Sequence, residues 1–148
     1  MSRRVDVTVE SIIERPVPEV AAYAGDPGNA PEWYANIRQV DWRTPAPVRV
    51  GSLLDFVATF LGRRIAYTYE VTDLEPGSRL VMQTAQGPFP MRTTYAWSET
   101  PAGTRMELRN DGEPAGFSRL AAPVIETAMR RAMTKDLAAL KRILEARH

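Results

Sequence analysis

The most constraining feature of this sequence is a series of short strand patterns, separated by turn signals, that is followed by one long helix pattern. In the first strand, Val5, Val7 and Val9 alternate with polar residues, which is the period of a half-buried strand. Glycine-containing turns such as Gly62-Arg63 and Glu75-Pro76-Gly77 then punctuate the middle of the chain. Strands joined by such turns pair as consecutive hairpins, so the pattern predicts an antiparallel sheet of about seven strands.

A single domain over residues 1–148 accommodates all the predicted elements, because no repeat or linker divides the chain. Two short helices are expected after the first strand, from Val17 to Ala24 and from the N-cap Asn29 through Tyr34. The remaining strands are expected at Ile37–Trp42, Ser52–Leu61, Arg64–Leu74, Arg79–Ala85, Met91–Ser98 and Thr104–Asn110.

The last third of the chain predicts one amphipathic helix pattern from about Phe117 to Ala146, in which apolar residues recur at spacings of three and four. Pro123 lies inside this pattern, and proline removes a backbone donor and clashes with the preceding turn. We therefore expect an irregular first turn and a main helix from about Pro123. Because neither the helix nor the sheet can bury its apolar face alone, the two must pack together in an α+β fold.

The composition excludes several kinds of chemistry. The chain has no cysteine, and its one histidine is His148. Disulfides, thiolate nucleophiles, Cys-ligated metals, Ser-His-Asp triads and HExxH sites are therefore absent from this sequence. We expect no metal and no cofactor.

Charge and hydropathy indicate the expected partners and cellular location of the protein. A formal net charge of +1 is too balanced for a nucleic-acid binder, so we expect no nucleic-acid partner. The longest apolar run, Val20 to Ala24, is far shorter than the ~20 residues that span a bilayer. The residues after Met1 contain no signal-peptide apolar segment, so the expected location is the cytoplasm.

Several short motifs occur in an order that is typical of one superfamily. They are Asp26-Pro27 followed by Pro31-Glu32-Trp33, Val50-Gly51-Ser52, the hairpin segment 69–80, Gly103-Thr104-Arg105 and the closing segment 136–145. On these motifs the chain resembles the START-like (SRPBCC) superfamily, in its polyketide cyclase/dehydrase-like or coenzyme Q-binding-like branch. The resemblance implies a helix-grip fold, in which an antiparallel sheet of about seven strands curves around a long C-terminal helix, with two short helices after the first strand.

The resemblance also implies an elongated apolar cavity between sheet and helix, and hence a small hydrophobic molecule as partner. The leading hypothesis is binding of a lipid, polyketide, sterol or quinone-like ligand. One alternative is a polyketide aromatase/cyclase-type enzyme that works largely by positioning its substrate. Another is a lipid or quinone chaperone that acts at a membrane. The residues present no strong catalytic constellation and leave the oligomeric state open.

Strand alternation assigns residues to the cavity side, although a one-residue slip would reverse any strand. Asn110 is the best polar candidate for ligand contact, and Asp55 and Arg92 are expected to face outward. Trp33 and Tyr34 lie in the corner formed by the two short helices, which we call the helix corner. They suit either a gate to the cavity or an apolar plug that anchors the second helix. The predicted ligand-binding residues are Trp33, Tyr34, Leu54, Phe56, Phe60, Tyr67, Tyr69, Met82, Met91, Tyr95, Trp97, Met106, Leu108, Asn110, Phe117, Leu120, Val124 and Ala128.

The C-terminal segment from Ala115 to His148 is mildly basic, with seven basic and three acidic residues. A basic amphipathic helix can bind anionic lipid. A solvated outer face is the more frequent reason for such a charge, and we expect it here.

Overall fold

The computed structural model describes residues 4–87, 90–113 and 121–147, and a curved seven-stranded antiparallel sheet is its framework. The strands are β1 (Val5–Ile13), β2 (Ile37–Trp42), β3 (Leu53–Phe60), β4 (Arg63–Glu75), β5 (Arg79–Gln86), β6 (Met91–Thr100) and β7 (Gly103–Gly112). The helices are α1 (Val17–Ala24), α2 (Ala30–Trp33), preceded by a 3₁₀ turn at Pro27–Asn29, and α3 (Ala122–Glu145). The strand order is β1-β7-β6-β5-β4-β3-β2.

The sheet order follows from hairpin pairing plus one long-range closure. Strands β2 to β6 each pair with the next strand in the chain, as turn-separated segments do. Strand β1 instead pairs with β7, from Val5 opposite Gly112 to Ile13 opposite Thr104. β1 and β2 therefore form the two opposite edges of the sheet, and the helices α1 and α2 carry the chain across from one edge to the other.

The β6–β7 turn shows why one glycine is required. Gly103 has a φ of +140°, and a Cβ at this position would collide with the carbonyl oxygen of Ile13. Its neighbour Thr104 donates its hydroxyl hydrogen to the carbonyl oxygen of Arg15 at 2.7 Å. The turn is therefore held closely against the end of β1, which fixes the β1–β7 register.

Helix α3 lies along β1 and covers the edge of that strand. Near its start, Glu126 accepts the backbone N–H of Asp6 at 2.9 Å, and Arg130 donates to the carbonyl oxygen of Thr8 at 3.1 Å. An edge strand exposes unpaired N–H and C=O groups, so these side chains satisfy groups that would otherwise face water or another chain. The helix begins at Ala122 with Pro123 in its first turn, which confirms the predicted start.

The same contacts continue to the other end of α3. Lys141 donates to the carbonyl oxygen of Ile12 at 2.6 Å, and Glu145 accepts the backbone N–H of Glu14 at 2.8 Å. The helix therefore runs beside β1 in the direction of that strand. Its apolar stripe faces the sheet and is buried, and consists of Ile125, Met129, Met133, Leu137, Leu140 and Leu144.

The convex face of the sheet is covered by ion pairs. Asp111, whose side chain is fully buried, receives Arg92 at 3.1 Å and also Arg4. Asp55 accepts from Arg43 at 2.8 Å and from the Thr68 hydroxyl at 2.6 Å. Both Asp55 and Arg92 thus use their side chains away from the concave face, as alternation predicted.

The predicted architecture is confirmed, with differences of one or two residues at strand ends and an added 3₁₀ turn before α2. Strand β7 runs on to Gly112 because its last residues pair with both β1 and β6. Within the described part of the chain, no helix is both long enough and apolar enough to cross a membrane.

Leu140→Ala tests the packing of α3 on the sheet. The Leu140 side chain is completely buried, so its truncation leaves a cavity and should lower the free energy of unfolding by about 2 to 5 kcal/mol. Urea denaturation measures the difference. Val124→Ala, at an exposed position of the same helix, should change that free energy by less than about 0.5 kcal/mol. Equal effects of the two substitutions would contradict the described orientation of α3.

Candidate ligand-binding cavity

A cavity of about 170 Å³ lies between the concave face of the sheet and α3, and it is partly open to solvent. The sheet contributes residues from strands β2 to β7, and the helix contributes Ile125, Met129, Ala132, Met133 and Asp136. Most of these lining groups are aliphatic or aromatic. The wall is therefore apolar, with a few polar side chains at separate points.

Many of the predicted ligand-binding residues line this cavity. Alternation places every second residue of a strand on the concave face, and the observed registers agree with the predicted ones. The predicted residues that line the cavity are Tyr34, Phe56, Phe60, Tyr67, Tyr69, Met82, Met91, Tyr95 and Asn110.

Other predicted strand residues point to the concave side but lie in the core outside the cavity. Leu54 lies at the start of β3, Trp97 in the second half of β6, and Met106 and Leu108 in the middle of β7. Helix α1 contacts β6 and β7, and all four side chains are buried in the apolar core. Alternation identified their face correctly, but it carries no information about position along the strand.

Trp33 is buried in the apolar core and does not line the cavity. Its side chain is 2% exposed, and its ring centroid lies 4.2 Å from that of Tyr34 and 5.8 Å from that of Tyr95. The indole N–H groups of Trp33 and Trp97 have no hydrogen-bond partner among the described residues. Tyr34, the next residue along the chain, does line the cavity.

The two predicted helix residues inside the described range were placed wrongly. Val124 is 53% exposed, and Ala128 is half-buried but does not line the cavity. Each precedes a lining residue, Ile125 or Met129, and one residue turns a helix by about 100°. The predicted apolar stripe was therefore too wide, because it included residues at the exposed edge of the buried face. Phe117 and Leu120 lie outside the described residues.

Two tyrosines are joined by a hydrogen bond across the cavity. The hydroxyl oxygens of Tyr34 and Tyr95 lie 2.6 Å apart. Burial raises the pKa of both phenols well above the usual value, so both remain protonated at neutral pH. The pair has two hydroxyl hydrogens and uses one between its members, so one is left to donate to another group.

A second polar chain runs from Tyr69 through Thr93 to Asn110. The Thr93 hydroxyl donates to Oδ1 of Asn110 at 2.6 Å. Since that hydroxyl has one hydrogen, the Tyr69 hydroxyl must be the donor in its 2.9 Å bond to Thr93. Burial raises the pKa of Tyr69 to about 12. Asn110 is therefore anchored by its oxygen.

Tyr67 differs from the other cavity tyrosines. Its ring stacks on Phe56 at a centroid distance of 5.4 Å and meets Tyr69 edge-on at 4.9 Å. Within residues 4–87, 90–113 and 121–147, no group accepts the hydrogen of its hydroxyl. Burial raises the pKa of this phenol well above its usual value, so it stays a donor.

Asp136 is the lining residue that carries a carboxyl group, and sequence reasoning missed it. Its side chain is buried, and Oδ1 accepts the backbone N–H of Ala35 at 3.0 Å. Burial raises its pKa to about 6, although the Ala35 bond and the charge of Lys135 both oppose that change. The available signal was its position three residues after Met133, which places an acid on the apolar stripe of α3.

Among the described residues, no three His, Asp or Glu side chains come together as a metal site would require. The cavity therefore offers phenol hydroxyls, a threonine–asparagine pair and one titratable carboxyl group on an apolar wall. Such groups can hold and orient a carbonyl or hydroxyl oxygen, and Asp136 can exchange a proton near neutral pH.

Solved structures of several proteins share this fold at low sequence identity. TTHA0849 from Thermus thermophilus is 18% identical with a TM-score of 0.76, covering 97% of both chains. The Zhui aromatase/cyclase from Streptomyces sp. R1128 is 16% identical with a TM-score of 0.74, covering 97% of this chain and 94% of that chain. Ginseng major latex-like protein 151 from Panax ginseng is 14% identical with a TM-score of 0.73, covering 98% and 97%.

A comparison with curated proteins found no match. The family model described as "Polyketide cyclase / dehydrase and lipid transport" matches residues 4–145, which is nearly the whole chain. The chain therefore belongs to the polyketide cyclase/dehydrase and lipid transport family, within the START-like superfamily that its motifs resemble.

Proposed function

We propose that this protein binds a small hydrophobic molecule with a carbonyl or hydroxyl oxygen in the cavity between the sheet and α3. The observation that carries the proposal is the composition of the wall. Apolar side chains surround the space, and four tyrosine hydroxyls and Asn110 lie within it. This is the usual make-up of a small-molecule site, in which apolar area provides affinity and a few polar groups provide orientation.

The size of the cavity limits what it encloses. A dry cavity of about 150 Å³ in another protein is large enough for benzene. A cavity of about 170 Å³ with an open side therefore suits a ring or a short chain, while the rest of a larger molecule extends through the opening. Each 100 Å² of apolar ligand surface removed from water contributes roughly 2.5 kcal/mol.

The polar groups favour a ligand that accepts hydrogen bonds. Tyr67 has a hydroxyl hydrogen without an acceptor in the described chain, and the Tyr34–Tyr95 pair has one to spare. A carbonyl oxygen can accept these donors without leaving a new group unpaired. Lipid, polyketide, sterol and quinone-like molecules with such an oxygen all meet this requirement.

One observation favours an enzyme of the aromatase/cyclase type as a second candidate. Asp136, with a pKa of about 6, lies in the cavity wall and acts electrostatically on Tyr34 and Tyr95. Phenol donors that polarise a ligand carbonyl and a carboxyl group that transfers a proton near neutral pH suffice for acid–base catalysis. In this candidate the Tyr34–Tyr95 pair orients the substrate and Asp136 moves the proton.

Filling the cavity tests the binding proposal. Ala132→Trp places an indole at a half-buried lining position, so the apparent affinity for Nile red should fall by about tenfold or more. Fluorescence titration measures the dye, and native mass spectrometry identifies a molecule that co-purifies with the wild type. Ala138→Trp is the matched control, because Ala138 is exposed on the same helix. If both variants bind Nile red as the wild type does, the dye occupies some other site and the proposal fails.

The raised pKa of Asp136 predicts a pH dependence of stability. Between about pH 4 and pH 6 the folded state binds more protons at this carboxyl group than the unfolded state. The Asp136 contribution to the free energy of unfolding therefore falls as pH rises through this range, by an amount on the order of 3 kcal/mol, and is constant above it.

Asp136→Asn removes this titration but keeps an oxygen that can accept the Ala35 N–H. Denaturation of both proteins at a series of pH values gives the difference between them, which cancels the other carboxyl groups. The variant should gain stability relative to the wild type as pH rises from 4 to about 7. Parallel pH profiles would show that Asp136 has an ordinary pKa and would remove the basis for the enzyme candidate.

A further inference from the structure

Basic side chains without a close partner collect around the open side of the cavity. Most described arginines bind a carboxylate or a backbone carbonyl, as Arg43, Arg79 and Arg109 do. By contrast, Arg64, Arg131 and Lys135 are exposed and have no ion pair or hydrogen bond within the described residues. Each is a chain neighbour of a cavity-lining residue, namely Ile65, Ala132 and Asp136 respectively.

The lining residues lie toward one end of the sheet, and the β3–β4 turn lies at that end. Val5 at the start of β1 is opposite Gly112 at the end of β7, and Gly112 is opposite Met91 at the start of β6. Strands β3 and β4 turn at the same end, where Thr59 and Phe60 are half-buried lining residues. The opposite end is filled by Trp33 and its neighbours.

One edge of α3 faces the opening. The other edge is tied to β1 through Glu126 and Lys141. At about 100° per residue, Val124, Arg131 and Lys135 lie on the solvent-facing side of the helix, between the edge that is bonded to β1 and the edge that carries the lining residue Ala132. Arg142 lies on this side too, but near the far end of the helix, beyond the cavity.

Two exposed apolar side chains accompany these cations. Leu61, in the β3–β4 turn, is 44% exposed and has a φ of +50°, which a branched apolar residue rarely adopts. Val124, in the first turn of α3, is 53% exposed. Together, Leu61, Arg64, Val124, Arg131 and Lys135 form what we call the mouth surface.

We propose that the mouth surface docks on an anionic lipid bilayer. It combines basic side chains with apolar side chains held out to solvent, which is the chemistry that binds the headgroup region of such a bilayer. The proposal rests on the proposed function only in that the cavity holds an apolar cargo. A cargo that passes from the bilayer into the cavity through an apposed mouth avoids exposing its apolar surface to water.

Vesicle flotation tests the docking. The wild type should float with vesicles of phosphatidylcholine and phosphatidylglycerol, should not float with phosphatidylcholine alone, and should bind less as salt concentration rises. Arg131→Glu should weaken binding by about tenfold or more. Leu61→Asp should also weaken it, and aspartate tolerates the left-handed backbone of the turn.

Arg142→Glu is the matched control, because it makes the same charge change on the same helix away from the mouth. It should weaken vesicle binding by less than about twofold, since it lies outside the contact. Equal losses for Arg131→Glu and Arg142→Glu would mean attraction by overall charge and would overturn the proposal. Absence of vesicle binding by the wild type would also overturn it. A wild type that binds poly-glutamate but no vesicle would instead have an acidic protein as partner.

Nile red titration without vesicles separates this proposal from the proposed function. Arg131→Glu and Leu61→Asp should bind the dye as the wild type does, because neither residue lines the cavity. If the wild type binds vesicles but no dye, the docking surface stands and the ligand-binding proposal fails. If it binds dye but no vesicle, the cavity proposal stands and docking fails.

Discussion

The attachment of α3 to β1 is the interaction on which the cavity depends. Side chains at both ends of the helix bond to backbone groups of this edge strand, from Asp6 to Glu14. The helix is therefore fixed along one of its edges, while the sheet curves away from its other edge toward β2. A helix packed centrally over the sheet would fill this space with side chains. Attachment to one edge leaves it as a cavity with an opening.

The polar groups of the cavity show how hydroxyl groups can lie in an apolar wall without a large cost to the stability of the fold. A buried hydroxyl without a partner is costly, and here most are paired with one another, as Tyr34 is with Tyr95 and Tyr69 with Thr93. The groups left over are the Tyr67 hydroxyl and the carboxyl group of Asp136. Burial makes the charged form of Asp136 less favourable, and this raises the pKa of the carboxyl group. A polar atom of a ligand would therefore form its most favourable hydrogen bonds with these incompletely paired groups.

Sequence patterns predicted the architecture well because most strands have a period of two and each hairpin turn contains a glycine or proline. The same patterns predicted the site only in part. Alternation placed Phe56 and Leu54 on one face of the sheet. Only the three-dimensional packing of the helices on that face determines that Phe56 lines a cavity and Leu54 is in the core. Asp136 was missed because apolar residues alone were used to define the stripe of α3. A buried acid can be predicted from the sequence only when polar residues at positions of the apolar stripe are also considered.

The boundary on α3 between the buried stripe and the mouth surface connects the cavity with the outside. Ala132 lies at this boundary, with Met133 on its buried side and Arg131 on its exposed side. A small residue there leaves the opening wide, since a larger side chain would extend across it. In the proposed docking, the two sides have complementary roles: the cations attract an anionic bilayer, and the apolar wall behind them receives an apolar cargo. In the aromatase/cyclase-type candidate, Asp136, one helical turn further along α3, supplies the proton transfer that distinguishes an enzyme from a binding protein.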